Sequence, residues 1–456
     1  MTQPPPPPPR SVMRRLLALA TPIIGLNVLN VLALAVDTAM CGRLPEAEQA
    51  LTALGFATQV IFLLMVAMIG LTVGTVALVA RAFGAGMLDR VNHILHQSTL
   101  LTVLVSLVVA LVGNLFAPQI ISGLGASDEV VAVSLDYLRP LLTGTVFNYL
   151  LLLYAAVMRG VGNTRLPFMI AVVTNILNFL FNYGLILGNW GMPALGVQGA
   201  ALGTVLSQMI GVAAYFFLLS RGQVKGLRLP LKLAPIDREL AGTLLRIGAP
   251  AALDMVILNA AFLSIVGMLG RLDEVSVAAH GIGLRIQGLA FVPGMSISQA
   301  TGAMVGQALG AGDAAQARKV VRASVVLCTG VMTALAVAIV LLAQPIVGIF
   351  DVAPGTPLEA FSVLWIELLG YGMPIMGVYI PFVGMLQGAG QTRTSLQINA
   401  ATTLLAQIPL SAILGFALGW GVFGVWLAFP ASFVLKAACG VAVYKRDRWA
   451  VTGAKA

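Results

Sequence analysis

Charge is what this sequence lacks. Only 9% of its 456 residues are Asp, Glu, Lys or Arg, against about 25% in a soluble domain, which excludes a soluble protein. Histidine and cysteine are almost as scarce, at three each. Cys41, Cys328 and Cys439 sit in or beside apolar segments without ligand-like spacing, so they read as small packing residues. His93 and His96 stand three apart beside a loop with no third ligand nearby, and His280 stands alone at the end of an apolar run. No metal centre is expected from them. There is no GxxxxGK[ST] segment, which disfavours an ATP-driven pump. No nucleophile or metal cluster gathers at one depth, so an enzyme is not expected, and no organic cofactor or metal is called for. The absence of any soluble signalling domain disfavours a receptor.

Apolar residues fill the space that charge leaves, at 59% of the chain with a mean hydropathy of +0.96. Twelve apolar runs lie near 16–41, 53–80, 94–115, 137–158, 166–188, 197–219, 245–269, 280–306, 320–343, 362–386, 396–417 and 421–444. Each is long enough to cross a hydrocarbon core of about 30 Å. The positive charges separate by side. Of 26 Lys and Arg, 21 fall in the tails and even-numbered loops, six of them between Arg221 and Arg246. Only Arg43, Arg139 and Arg271 fall on the opposite side. The positive-inside rule then places both termini in the cytoplasm. The net charge of +9 sets topology and calls for no nucleic acid. The opening MTQPPPPPPR reads as an extended stub, and the first apolar run as a retained helix rather than a signal peptide.

The chain also repeats itself. Pro22 and Gly42-Arg43-Leu44 recur as Pro250 and Gly270-Arg271-Leu272, shifted by 228 residues. FGAG at 83–86 recurs as LGAG at 309–312, RGVGNTR at 159–165 as QGAGQTR at 387–393, and Gly196 and Gly199 as Gly421 and Gly424. Each copy holds an even number of spans, so both enter the membrane in one orientation, the parallel-repeat plan of two-lobed secondary transporters. The expected fold is an all-α membrane protein of twelve transmembrane helices in two pseudo-symmetric six-helix lobes. Its expected divisions are a Pro-rich disordered tail at 1–14, an N-lobe at 15–220, a basic inter-lobe linker at 221–244, a C-lobe at 245–445 and a tail at 446–456. The Gly-rich GAG and GVGNTR stretches read as tight turns.

Ionisable residues within spans are Asp37, Asp254, Arg285, Glu367 and Lys436, and each costs roughly 2.5–3.5 kcal/mol on insertion scales unless it has a purpose. Lys436 is close enough to a span end to snorkel. Arg285 and Glu367 lie at similar depth and are expected to pair. Asp254 falls in the inner part of span 7 as a candidate for the mouth of a cavity, with Arg285 a second cavity candidate. Asp37 lies in the outer third of span 1 on a side chain too short to snorkel. Span 5 carries Asn175, Asn178 and Asn182 on one face, and span 6 carries Thr204 at a similar level. The structural alternative is inter-helix hydrogen bonding without coupling. The functional one is a proton site: a carboxyl group removed from water favours its neutral form, so one aspartate that protonates on one side and deprotonates on the other is the minimum machinery of an antiporter.

VDTAMCGRL in span 1, RGVGNTR before span 5 and GVQGAALGT in span 6, together with the duplicated lobe, resemble the multidrug and toxic compound extrusion (MATE) transporters. The resemblance covers roughly residues 15–445 and is nearest the prokaryotic DinF-like branch. It implies export of organic, often cationic and amphipathic compounds in exchange for H⁺ or Na⁺, by a monomer in a bacterial cytoplasmic membrane. It carries the N-lobe cation site onto Asp37, Asn178, Asn182 and Thr204. That branch often has a second aspartate where this chain has Asn182, and one carboxylate makes a tight Na⁺ site less favourable. Pro22, with Gly25 beyond it, is expected to let span 1 kink. A lipid-linked saccharide flippase of the same superfamily is the main alternative. It would need cationic residues facing the cavity, and Arg285 alone is a candidate.

Overall fold

The computed structural model describes residues 11–229 and 235–453. The polyproline run of the expected N-terminal tail and part of the expected linker lie outside those residues. The described chain is helical: α1 (Val12–Cys41), α2 (Ala47–Gly84), α3 (Leu88–Gly123), α4 (Asp128–Thr143 and Thr145–Gly160), α5 (Arg165–Leu187), α6 (Gly196–Ser220), α7 (Arg238–Leu272), α8 (Glu274–Gly310), α9 (Ala314–Leu341), α10 (Pro357–Gly388), α11 (Thr392–Ala417) and α12 (Gly421–Lys445). A short helix, Ala343–Gly348, lies between α9 and α10. Eleven of the twelve are single helices long and apolar enough to cross a membrane, and α4 is a pair bent by 51° at Gly144. Every apolar run in the sequence falls on one of these spans.

Where helix ends depart from the runs, local chemistry explains it. α7 starts at Arg238, so residues 238–244, expected in the linker, form its first turns. Asp237 caps it, its Oδ1 accepting from the backbone N–H groups of Glu239 and Leu240 at 3.0 Å each. The linker is clipped to α3: Gln97 Nε2 donates to the Pro235 carbonyl at 3.0 Å, and the Asp237 N–H donates to Gln97 Oε1 at 3.0 Å. α11 contains two π-helical stretches, Ala401–Gln407 and Ile413–Ala417, on either side of Pro409, which has no amide hydrogen to continue the ladder.

Each half begins inside the other. The first turns of α1 bury Leu16, Ala20 and Ile23 in the same cluster as Ile297, Val305, Met332 and Met385 of the second half. Its far end buries Met40 and Cys41 with Ala50, Leu138 and Ile186 of its own half. α7 mirrors this: Leu240, Leu244 and Ile247 join Leu78, Val91 and Tyr154 of the first half, while Ile265 and Leu269 join Trp365 and Trp426. Backbones meet at this crossing, where a Cβ on Gly70 would run into the Gly248 carbonyl. Pro250 lies in α7 two residues beyond Gly248, and Pro22 lies in α1 among the turns buried in the second half, so a helix bend at either would move one half against the other.

Candidate functional site

A cavity of about 430 Å³ lies among α1, α2, α4, α5 and α6. Its wall is mostly apolar, with a band of amides, hydroxyls and phenols that includes Asn30, Asn148, Tyr137 and Gln208. Among the described residues lining it, Asp37 is the only one that carries a formal charge. Asp37 itself is 7% exposed.

The residues singled out in the sequence meet here in two layers. Asp37, Asn175, Asn178 and Thr204 line the cavity. Behind them Asn182, fully buried, donates from Nδ2 to Asp37 Oδ1 at 2.6 Å. Gly203 makes that position available, because a Cβ there would collide with Asn182 Oδ1. Asn178 Nδ2 donates to Thr204 Oγ1 at 3.1 Å, and Thr204 Oγ1 donates to the Ala200 carbonyl at 2.9 Å. Asn175 spends its amide on its own helix, donating to the Ala171 carbonyl at 2.7 Å. A mostly apolar wall with one carboxylate and a few amide and hydroxyl oxygens can hold a proton, a hard cation or a substrate's ammonium group.

The family model described as MatE matches this chain twice, over residues 22–184 and 250–413. The chain belongs to the MatE family. The two matches start at the paired prolines, Pro22 and Pro250, the same shift read in the sequence. As a MatE chain with twelve apolar spans it is a multi-pass membrane protein of a transporter family. It is 25% identical to a probable multidrug resistance protein NorM of Thermotoga maritima, over 96% of this chain and 93% of that protein. It is 29% identical to a probable multidrug resistance protein NorM of Bradyrhizobium diazoefficiens, over 91% and 89% of the two chains. It is also 29% identical to an FAD transporter of Shewanella oneidensis, over 87% and 86%. Its fold superposes on a crystal structure of MATE in the bent conformation with a TM-score of 0.88, at 20% identity over 96% of this chain and 95% of that one.

Other residues of this MatE chain stand apart from the cavity. Asp254 does not line it; Asp254 is buried, and its Oδ2 accepts from Asn399 Nδ2 at 2.7 Å. Tyr379 Oη donates to Asn399 Oδ1 at 2.7 Å. Lys436 does not snorkel: it is 5% exposed, and Asp254 lies within electrostatic reach of it. Arg285 is exposed and Glu367 half-buried, and they form no ion pair among the described residues, where the ion pairs are His93–Asp237 and Arg318–Asp447. His93 Nε2 thus meets Asp237 Oδ2, at 2.9 Å. His280 is buried among aromatic rings, with the Trp365 ring centroid 4.8 Å from its own. Asn399 and Tyr379 escaped the reading of the sequence. Their signal was available, since Asn399 follows Asp254 by the same 145 residues that separate Asn182 from Asp37.

Proposed function

We propose that this MatE protein is a secondary antiporter of the DinF-like branch that exports organic, often cationic and amphipathic compounds in exchange for H⁺ or Na⁺. In this reading Asp37 is where the coupling ion and the substrate exclude one another. The observation that carries it is the cavity wall, where Asp37 is the one charged residue among those described. A neutral Asp37 leaves an apolar and amide-lined chamber; an ionised one attracts a cation. Asn178, Asn182 and Thr204 supply the oxygens and donors around it, and Asn175 the polar shoulder of the wall. The protein works as a monomer in a bacterial cytoplasmic membrane with both termini in the cytoplasm.

Alternating access follows from the crossed ends of α1 and α7. Protonation at Asp37 changes how the far end of α1 packs on α5, and Pro22 lets that change bend the helix against the core of the second half. The flippase reading is less favoured, because among the described residues no lysine or arginine lines the cavity to receive a pyrophosphate.

The test is efflux of a fluorescent organic cation from proteoliposomes under an imposed pH gradient and, separately, an imposed Na⁺ gradient, for wild type and Asp37→Asn. Gradient-driven wild-type transport that the substitution abolishes supports the reading. A variant that still couples to either gradient overturns the role of Asp37. The name of the Shewanella relative makes FAD a second transport probe.

A further inference from the structure

The two halves are tied together at one end by a pair of hydrogen bonds that repeat each other's geometry. Arg81, near the end of α2, is 1% exposed and donates from Nη2 to the carbonyl of Ala389, just past α10, at 2.8 Å. Gln307, near the end of α8, donates from Nε2 to the carbonyl of Gly160, the last residue of α4, at 2.8 Å. Arg81 and Gln307 are related by the 226-residue shift of the repeat, as are Gly84 and Gly310 beside them. The acceptors are related by the 228-residue shift to within one residue, the longer arginine reaching one position further.

Each donor therefore satisfies a carbonyl at the C-terminal end of a helix in the opposite half. Such carbonyls have no partner within their own helix and carry the negative end of its dipole. The backbones are pressed together at the same place. A Cβ on Gly84 would run into the Gln307 carbonyl, and one on Gly310 into the Arg81 carbonyl. The C-terminal segment closes over the junction. The Gly453 N–H donates to the Leu309 carbonyl at 3.0 Å, the Gly453 carbonyl faces Arg81 Nη1 at 3.5 Å, and Trp449 is fully buried against Tyr444. The described tail is thus docked at Trp449 and Gly453, while Arg446, Asp447 and Arg448 stay exposed.

From this geometry we propose that Arg81 and Gln307 form a reciprocal latch that decides which face of the membrane the transporter opens to. Closed, as here, the latch seals the face that carries the inter-half linker and the C-terminal segment. Opening that face requires α2 to part from α8, which breaks both bonds together and leaves two helix-end carbonyls to find new donors. The latch lies outside the cavity, so it acts on the conformational equilibrium and not on the chemistry at Asp37. The proposal rests on the alternating-access reading, but its test needs no substrate or ion gradient.

Spin labels at Met87 and Ala311, both exposed and on either side of the junction, report the separation of the two ends by double electron–electron resonance, in a variant lacking Cys41, Cys328 and Cys439. The unlatched comparisons are Arg81→Met and Gln307→Met, which removes the donor to the Gly160 carbonyl without placing a new charge beside Lys225. Each is expected to move protein from the short- to the long-distance population, raising the open-to-closed ratio about tenfold for Arg81→Met, whose lost bond has a charged donor, and about fivefold for Gln307→Met, whose lost bond has neutral partners. If Arg81→Met does not fold, Gln307→Met decides alone. A distance distribution unchanged from the parent in Gln307→Met overturns the latch, whatever the transport assays show.

Discussion

Asn182 donates its amide to Asp37 from a position with no exposure of its own, one layer behind the cavity wall. Its Oδ1 has no hydrogen-bond partner among the described residues. The carboxylate facing the cavity is therefore held by a group that substrate cannot reach, and the strength of that hold is set by Asn182. A bond of this kind, with one charged partner, contributes roughly 1.5–3 kcal/mol. Asn182→Leu is accordingly expected to lower gradient-driven transport about tenfold while the purified protein keeps its helical content. Asn182→Asp places a second carboxylate against Asp37 and favours a hard cation over a proton. In liposomes, Na⁺-driven efflux should rise relative to H⁺-driven efflux. The same ratio in wild type and Asn182→Asp would show that Asn182 does not shape ion choice.

The second carboxylate–amide pair serves as a natural control. Asp254 and Asn399 join the helices equivalent to those of Asp37 and Asn182, but each stands eleven residues nearer the linker-bearing end than the repeat would place it. That is three turns, or about 16 Å along a helix. Asp254 has Lys436 within electrostatic reach and no contact with the cavity. Asp254→Asn is expected to leave the pH dependence of transport unchanged. Lys436→Met, which strips the buried carboxylate of its compensating charge, should destabilise the fold by about 3 kcal/mol, and adding Asp254→Asn should recover part of that loss. Thermal unfolding of the three variants in detergent checks the stability order. Loss of coupling in Asp254→Asn alone would move the proton site to the second half.

Much of this was legible in the sequence because membrane helices leave few choices. Twelve apolar runs specify the spans, and four repeated motifs specify the duplication that the two family matches follow. The cluster of Asp37, Asn178, Asn182 and Thr204 was legible too, since polar side chains at one depth on facing helices have few other places to go. What the sequence concealed depends on packing between distant segments. Nothing local to Leu16 or Leu240 says that each half opens in the core of the other. Arg81 reads as one more basic residue near a loop until α10 is set beside it. Lys436 looked able to snorkel because span depth counts residues along one helix and is blind to Asp254 on another.

The cap of α7 gives a pH dependence of defined sign. Asp237 is half-buried, and its carboxyl is held below the usual carboxylate range, first by the Leu240 backbone N–H and next by the His93 side chain. A carboxyl whose pKa falls on folding stabilises the native state at pH values above its unfolded pKa, and that contribution is lost as pH falls through the folded value. Asp237→Asn keeps a capping oxygen but cannot titrate. Wild type should melt higher than Asp237→Asn at neutral pH, and the gap should narrow progressively as pH falls below the usual carboxylate range. A gap that persists at low pH would assign the effect to shape and not to charge.

Pro22 offers the most direct test of how the site and the crossing communicate. It lies fifteen residues before Asp37 on one continuous helix, about 22 Å along the axis. The turns before it are buried in the second half, and the turns around Asp37 in the first. Proline leaves the Ala18 carbonyl without its usual partner, so α1 bends there at low cost. Pro22→Ala restores a donor for that carbonyl and should stiffen the helix by up to about 3 kcal/mol, the interior cost of proline. The expected result is a slower transport cycle with substrate affinity preserved, because neither the cavity wall nor Asp37 is touched. Equilibrium binding of the fluorescent cation and its rate of efflux, measured on the same preparation, separate the two. Unchanged turnover in Pro22→Ala would mean that the halves rock without bending α1 at this point, leaving the crossing itself as the pivot.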